Sequence, residues 1–305
     1  MNIDLSVEIG SLKLKNPVMV ASGTFGYGEE YRSLLNLNGL AAVVTKTITL
    51  EPRPGNPPPR IAETECGMLN SIGLANVGVE AFIRDKLPFL KTLKTRVLVS
   101  VGGSRVEEFA EVVARIEDAG GVDGYELNVS CPNVAGEGVA FGTDADLTMA
   151  IGKRVRTTTK RPIMVKLTPN VTVIAGIARA AQEGGADGLV VGNTVFGMAV
   201  ALSTRKPKLA RIIGGYSGRG IKPIALAKVY EVVQAVDIPV VGCGGILNAQ
   251  DALEFLITGA RAVQIGTATF LDPKSAPSVI EGLKDYCRQH NINRITNLIG
   301  TLDTE

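Results

Sequence analysis

The stretch PVVGCGGILNAQDALEFLITGARAVQIGTA, residues 239–268, decides the fold. It opens with a short apolar run and continues with a helical pattern that Asn248 can begin and Gly259 can end. It closes on a second apolar run. Near-continuous hydrophobicity in both runs is typical of parallel strands that are covered on both faces. The stretch therefore predicts a strand, a helix and a second, parallel strand.

This unit recurs along the whole chain. The eight apolar runs are PVMVASG (17–23), AAVVTKT (41–47), RVLVSVG (96–102), GYELNVS (124–130), PIMVKLT (162–168), GLVVGNT (188–194), PVVGCGG (239–245) and AVQIGTA (262–268). After the third run, Ser104 and Glu107 predict a capping box, and Gly120 can end that helix. Eight alternations without a break in composition favour an α/β fold of the (β/α)8 TIM barrel type over a doubly wound sheet. We expect a single domain over residues 1–305.

Composition narrows the class of protein. Among 305 residues, 32 Lys and Arg nearly balance 30 Asp and Glu, and no run of like charge indicates a nucleic-acid or membrane surface. The first residues lack the basic flank and apolar core of a signal peptide, which predicts a cytoplasmic protein. Four cysteines are too widely spaced for a zinc or iron–sulfur motif, so no metal is expected in this chain. The expected partners are small molecules or other proteins.

Three connections are long: those after the second, fourth and sixth strands. All three leave the barrel at the carboxyl ends of the strands, where the active sites of such barrels lie. Long loops in a compact domain are usually functional. They are predicted to build walls and a lid over a site.

Glycines after the last two strands predict an anion site. GCGGI (242–246) and GTA (266–268) let backbone N–H groups approach a phosphate, and the helix that begins near Asn248 adds its dipole. Gly218 and Gly220 precede this pair and can extend the same cradle. The alternative is that these glycines serve only tight turns.

Polar residues at other strand ends predict the rest of the site. Lys46 and Lys166 lie close to strand ends and can face inward, where a lysine is costly unless it meets an anion or an electron-rich ligand. The alternative is an internal salt bridge, for which Glu126 is the candidate. Five asparagines suit a planar ligand with alternating N–H and C=O groups. They are Asn70, Asn128, Asn133, Asn170 and Asn193.

Cys131, just past the fourth strand in NVSCPN (128–133), is the leading candidate for a reactive group. The single histidine, His290, lies near the end of the chain and is predicted to be a surface residue. Cys131 and the two lysines are then the main proton acceptors left. Cys66 and Cys243 are predicted to be buried and inert, and Cys287 stays undecided.

These motifs together resemble the dihydroorotate dehydrogenases over nearly the whole chain. The shared motifs, in order, are ASG (21–23), TKT (45–47), NSIGLAN (70–76), NVSCPN (128–133), KLTPN (166–170), GNT (192–194), GCGGI (242–246) and GTA (266–268). The resemblance implies an FMN barrel that oxidises dihydroorotate to orotate in de novo pyrimidine biosynthesis.

Carried over residue by residue, the resemblance also implies roles at the site. The residues expected at FMN are Ser22, Lys46, Thr47, Ser100, Asn128, Lys166, Gly192, Gly218, Gly244, Gly245, Gly266 and Thr267, with Lys166 at the N1 and O2 edge of the ring. Ser100 departs from the Asn that relatives often have. The residues expected at the substrate are Lys46, Asn70, Ser71, Ile72, Gly73, Leu74, Asn128, Asn133, Asn193 and Thr194.

The mechanism that the resemblance implies has Cys131 removing the C5 proton while the C6 hydrogen passes to FMN as hydride. A cysteine base is similar to the cytosolic class, and AGEGVAFGTD (135–144) is similar to its NAD-linked form, in which a partner subunit carries FAD and a [2Fe-2S] cluster. A homodimer is also implied. The alternatives are a stand-alone fumarate-reducing enzyme, a barrel like dihydropyrimidine dehydrogenase, a Schiff-base aldolase and a catalytically silent scaffold. Lys46 beside a substrate carboxylate argues against the second of these.

Overall fold

Eight parallel strands close into a barrel in the computed structural model, which describes residues 3–130 and 141–305. The strands are β1 (Val18–Val20), β2 (Ala42–Val44), β3 (Arg96–Val101), β4 (Gly124–Asn128), β5 (Ile163–Leu167), β6 (Gly188–Val191), β7 (Val240–Cys243) and β8 (Ala262–Ile265). Each strand pairs with the next one along the chain, and β8 pairs with β1. Each lies inside one of the eight predicted runs, so the predicted (β/α)8 barrel is confirmed.

Helices surround the barrel. They are α1 (Val79–Ala81), which continues through a π-helical turn (Phe82–Lys86) into α2 (Leu87–Leu90), then α3 (Val106–Ala119), α4 (Ala145–Arg156), α5 (Ile174–Glu183), α6 (Lys222–Val233), α7 (Ala249–Thr258), α8 (Ala268–Leu271) and α9 (Ser275–Gln289). Between β1 and β2 the chain forms only two short 3-10 turns, Glu29–Tyr31 and Leu37–Gly39. The expectation of a helix after every strand is therefore wrong there, where Gly26 and Gly28 adopt left-handed backbone angles that an α-helix does not accept.

The helix ends test two capping predictions. The Asn248 side chain accepts from the Asp251 N–H at 3.0 Å and Asp251 bonds back, so the start of α7 at Asn248 is confirmed, as is its left-handed end at Gly259. The capping box of Ser104 with Glu107 is wrong. Helix α3 begins two residues after Ser104, and the carboxylate of Glu108 accepts the Ser104 N–H at 2.7 Å instead. A carboxylate one position further along still satisfies an N–H at this helix start.

The lower end of the barrel is closed by an N-terminal hairpin of Val7–Ile9 and Leu12–Leu14. Its inward side chains, including Ile9 and Leu14, are buried against the core. Apolar side chains of the hairpin thus extend the core at this end, whereas the predicted site residues lie at the opposite, carboxyl end of the strands.

Two of the long connections meet above that carboxyl end. The loop after β2 supplies Ile61–Thr64 and Gly67–Asn70, and the loop after β6 supplies Val195–Gly197 and Gly214–Ser217. These four segments form one antiparallel sheet, called the cap sheet below. The predicted walls are therefore present for these two loops. The loop after β4 lies partly outside the described residues, which include neither Cys131 nor Asn133.

No helix in the described ranges is long and apolar enough to cross a membrane.

Candidate active site

A cavity of about 540 Å³ opens between the carboxyl ends of the strands and the cap sheet. Its volume is within the range of small-molecule and cofactor sites. The predicted site residues that line it are Ser22, Lys46, Thr47, Asn70, Ser71, Ile72, Gly73, Leu74, Asn128, Lys166, Asn193, Thr194, Gly218, Gly244, Gly245, Gly266 and Thr267. The barrel thus brings together at one cavity residues that lie far apart in the sequence.

Lys166 forms part of the cavity floor. It lies near the end of β5, opposite Asn128 of β4 in the strand register, and is only 4% exposed. Its Nζ donates to Gln264 Oε1 at 2.8 Å and lies 3.7 Å from Glu126 Oε1. Burial is the largest single effect and lowers the pKa of Lys166, but the Glu126 carboxylate, with a smaller contribution from Cys243, outweighs it, so the pKa lies above its ordinary value. Lys166 therefore presents a fixed positive charge.

The sequence allowed two interpretations of Lys166, an internal salt bridge or a functional position in the site. The salt bridge with Glu126 exists, and Lys166 lines the cavity at the same time. The ion pair and the functional placement are compatible because an ammonium group has three hydrogens to donate.

Lys46 differs from Lys166 in its surroundings. It is half-buried at the cavity wall, and no described residue accepts a hydrogen bond or forms an ion pair with its Nζ. Burial lowers the pKa of Lys46 below its ordinary value, the charge of Glu30 opposes this and that of Arg60 adds to it. A partly buried lysine without an acceptor gains most from an anionic ligand.

Asn128 is held in one orientation by its neighbours. Its Nδ2 donates to Thr47 Oγ1 at 3.3 Å, and its Oδ1 accepts the Ser130 N–H at 3.3 Å. Thr47 in turn shares a hydrogen bond of 2.9 Å with the hydroxyl of Ser100. Ser100 is fully buried behind Thr47 and is not among the residues that line the cavity. Its contact is with the side chain that orients Asn128.

The segment from Asn70 to Leu74 forms one wall in a constrained conformation. Gly73 and Leu74 have φ angles of 71° and 54°, in the left-handed region that disfavours a residue such as leucine. The Asn76 side chain holds this turn by donating to the Leu74 carbonyl at 2.8 Å. Asn70 donates to the Gly215 carbonyl at 3.2 Å and so joins the two halves of the cap sheet.

Asn193 and Asn170 fix the opposite wall. Asn193 donates to Ser130 Oγ at 2.9 Å and accepts the Thr194 N–H at 2.9 Å. Asn170 donates to the Thr194 carbonyl and accepts the Phe196 N–H, which anchors the first cap strand from the loop after β6. Asn193 thus lines the cavity, whereas the observed bonds of Asn170 are structural.

One end of the cavity is built from glycine backbone. Gly266 lies there, and the space that a side chain on it would occupy is open. A Cβ on Gly266 would meet only Ala21 and Thr24, at 3.6 Å or more. The N–H groups of Gly245, Gly266 and Thr267 donate to no backbone carbonyl of the described chain. Such free N–H groups around a space that a side chain would fill suit an anionic group. The glycine cluster predicted after β7 and β8 has this geometry.

Gly192 has a packing role that the sequence did not indicate. It is not among the cavity-lining residues, its φ is 125°, and a Cβ on it would lie 1.7 Å from the Cys243 carbonyl oxygen. Only glycine lets the end of β6 approach β7 this closely.

Several residues in and beneath the cavity were not predicted from the sequence. Gln264 is the most important: it lies beneath the cavity and bonds both Lys166 and Glu126, although it belongs to an apolar run. A polar residue between Val263 and Ile265 is the signal that could have found it. Others are Ser130, Ser217, Phe196, Ile213 and Phe270, which line the cavity from the loops.

The cysteine predictions have mixed outcomes. Cys131 lies outside the described residues. Cys243 is buried as predicted, and burial raises the pKa of its thiol. Cys66 is exposed, so its predicted burial is wrong: it lies in the turn between two cap strands and not in the barrel. Cys287 is buried in α9, and burial raises its pKa. His290 is exposed, as predicted.

The fold and the cavity together define a (β/α)8 barrel protein with a charged, amide-rich small-molecule site at the carboxyl ends of its strands. The chain matches the family model for dihydroorotate dehydrogenase over residues 4–287. It belongs to the dihydroorotate dehydrogenase family, whose members are oxidoreductases.

Three relatives show how close this match is. The chain is 50% identical over 301 residues to a protein of Geotalea uraniireducens (strain Rf4), with 99% of each chain covered. It is 51% identical over 303 residues to one of Thermoanaerobacter sp. (strain X514), covering 99% of this chain and all of the relative. It is 48% identical over 300 residues to one of Geobacter sp. (strain M21), with 98% of each covered. All three are named dihydroorotate dehydrogenase B (NAD(+)), catalytic subunit.

Replacing Gly192 with alanine tests its packing role. The new Cβ would collide with a backbone carbonyl at a strained φ, so Gly192→Ala is expected to lower the free energy of unfolding by about 3 kcal/mol or more. Gly23→Ala is the matched control, because a Cβ there meets nothing within 4 Å. It should change the stability by less than about 0.5 kcal/mol. Urea unfolding of both proteins measures this, and equal midpoints would contradict the assignment.

Proposed function

We propose that this chain catalyses the FMN-dependent oxidation of dihydroorotate to orotate in de novo pyrimidine biosynthesis. The observation that carries the proposal is a single cavity with a glycine-backbone anion cradle at one end and Lys46, Lys166 and several amides around the remainder. Membership of the dihydroorotate dehydrogenase family supports it. A Schiff-base aldolase or a silent scaffold has no such support.

The residues present fit FMN. Gly218, Gly244, Gly245, Gly266 and Thr267 would hold its phosphate, because the cradle offers unbonded N–H groups and open space at Gly266. The remaining contacts would come from Ser22, Lys46, Thr47, Asn128 and Lys166. Bound FMN would supply the hydride acceptor for the C6 hydrogen of dihydroorotate. We place Ser100 and Gly192 behind this layer, as supports for Thr47 and Cys243.

The substrate would be held by the amide-rich wall. Lys46 would pair with its carboxylate, and Asn70, Asn128 and Asn193 offer both donors and acceptors to its ring. The other residues assigned to the substrate are Ser71, Ile72, Gly73, Leu74 and Thr194, with Asn133 proposed from the sequence alone. The bonds that already hold Asn128 and Asn193 mean that little side-chain entropy is lost on binding.

Two groups of the chain would act on the reaction. Cys131, which directly follows Ser130, is proposed as the base that takes the C5 proton, on sequence grounds. Lys166 would hold a positive charge beside the acceptor, where negative charge builds as hydride arrives. Orientation of the substrate by the fixed amides would align the two bond-breaking steps.

The electron acceptor and partner are proposed from the relatives. These relatives are named as NAD(+) enzymes and as catalytic subunits, so we propose that electrons pass to NAD through a partner subunit. From the family resemblance we propose that this partner carries FAD and a [2Fe-2S] cluster. Exposed apolar side chains on and beside the cap sheet support a protein interface there, for a homodimer or for that partner. They are Met198, Val200, Leu202 and Ile212, together with Ile61, Phe196 and Ile213, which also line the cavity. Free cysteines agree with a reducing, cytoplasmic location, and we propose one functional domain over residues 1–305.

The test of this function uses the purified chain, alone and with its partner subunit. The chain alone should carry one FMN and be reduced by dihydroorotate, and reoxidation by NAD should require the partner. Reoxidation by fumarate without a partner would instead indicate the stand-alone class. A colourless protein that takes up no FMN would contradict the proposal.

Replacing Cys131 tests the proposed base. Cys131→Ala should retain FMN but slow its reduction by dihydroorotate by about 10²- to 10⁴-fold, the usual contribution of general base catalysis. Cys287→Ala is the control, because that thiol is buried in α9 and does not line the cavity. Stopped-flow absorbance of the flavin measures the rate. Reduction of Cys131→Ala at the wild-type rate would rule out this base.

Lys46 predicts a pH dependence of orotate binding. Its lowered pKa means that the free protein loses the Lys46 proton below the ordinary value of 10.5, whereas an anionic ligand needs that proton present. Affinity for orotate should therefore fall as the pH rises through the lowered pKa, by up to about tenfold per unit. Lys46→Arg stays charged and should lose this component of the decline. Calorimetric titrations from pH 6 to 10 compare the two, and identical slopes would refute the role.

A further inference from the structure

Glu126 is a charged residue to which the proposed reaction assigns no role. It lies on β4, is 0% exposed and is not among the residues that line the cavity. A carboxylate without solvent is costly unless it is paired and fully hydrogen-bonded. Its partners therefore show what it does.

Both carboxylate oxygens of Glu126 are bonded. Oε1 accepts from the Ser22 hydroxyl at 2.9 Å and lies 3.7 Å from Lys166 Nζ, and Oε2 accepts from Gln264 Nε2 at 2.6 Å. Since a carboxylate only accepts, the amide of Gln264 must present its NH₂ to Glu126. Its oxygen is then the atom that faces Lys166, at 2.8 Å.

This arrangement restricts the hydrogen bonds that Lys166 can form. Its Nζ is drawn to Gln264 and Glu126 on one side, and its third hydrogen remains for the cavity that Lys166 lines. The strand order puts Glu126 on β4 and Gln264 on β8, on opposite sides of the barrel, so the bonds cross the barrel interior. The lysine is therefore held from the barrel interior beneath the cavity.

We infer that Glu126 and Gln264 are positioning residues that keep Lys166 protonated and directed at the bound flavin. The inference rests on the proposed function. Burial alone favours the neutral amine, and Glu126 is the charge that opposes it. Ser22 and Gln264 hold the Glu126 carboxylate in place by donating to it, so the three residues act together.

Among the described residues, two titratable groups act electrostatically on Lys166. They are Glu126 on β4 and the thiol of Cys243 on β7. Burial raises the pKa of Cys243, which disfavours its thiolate. Gln264, Ser22 and Asn128 carry no charge. A change at Glu126 therefore acts mainly on the protonation of Lys166.

The test is the midpoint potential of the bound flavin in Glu126→Gln, as a difference from wild type, between pH 6 and 10. At pH 6 Lys166 is still charged and has lost its counter-charge, so reduced FMN should gain on the order of tenfold over oxidised FMN, a rise of about 30 mV for a two-electron couple. As the pH rises Lys166 loses its proton and this gain should disappear. Glu126→Asp, which keeps the charge, should show much less of this pH-dependent loss.

A second comparison, in the Lys166→Met protein, shows whether Glu126 acts through Lys166. Adding Glu126→Gln to Lys166→Met should change the flavin midpoint potential by an amount that does not depend on pH. A purely structural role would lower thermal stability and FMN affinity without this pH signature. A difference that is zero, or that is independent of pH, overturns the inference.

The double variant Glu126→Met with Gln264→Met covers the case in which Glu126→Gln does not fold. It removes the counter-charge together with the amide bonded to it, so no buried amide is left without a partner, and the potential difference should have the same sign and pH trend as in Glu126→Gln. No change in that variant overturns the inference as well. Failure of the wild-type chain to bind FMN is a separate result, since it contradicts the proposed function before any variant is compared.

Discussion

The buried Glu126 carboxylate is the constraint around which the upper part of this barrel is arranged. It lies in the barrel interior, where most side chains are apolar. Its strand, β4, stands opposite β8, the strand of Gln264, in the closed barrel. Because a desolvated charge must be paired, β1, β5 and β8 each contribute or adjoin one partner: Ser22, Lys166 and Gln264. These bonds join residues up to 138 positions apart and are satisfied only when the barrel is closed. The same bonds that close the interior therefore orient the cavity floor.

The walls depend on a second layer of constraints, in the backbone. Gly192 lets β6 approach the Cys243 carbonyl, and the left-handed pair Gly73 and Leu74 turns the wall that Asn76 holds. The cap sheet combines two loops that leave different strands, so each wall is hydrogen-bonded to the other. This pairing restrains the binding residues on these loops, which reduces the entropy cost of binding a ligand.

Much of this could be predicted from the sequence, for identifiable reasons. Apolar runs and helix caps such as Asn248 are local signals, and lysines at strand ends are conspicuous because they are costly there. Local signals fail where the deciding contact is distant. Gln264 looks like one polar residue in an apolar strand, and Ser100 looks like a cavity residue although Thr47 separates it from the cavity. Gly26 and Gly28 were a local indication that no helix follows β1. The eightfold alternation of strands and helices nevertheless favoured a helix there.

The two cavity lysines show why charge compensation matters more than position. From the sequence, Lys46 and Lys166 are equivalent: each stands near the end of an apolar run. In the structure Lys166 has its counter-charge within 3.7 Å, whereas no described residue accepts from Lys46. A compensated lysine keeps its proton whether or not a ligand is present, so it can act on charge that appears during a reaction. An uncompensated lysine with a lowered pKa gains its stabilisation only when an anion arrives, so it suits recognition of a substrate carboxylate. One side-chain type thus serves two roles, and the difference is made by a carboxylate buried beneath only one of them.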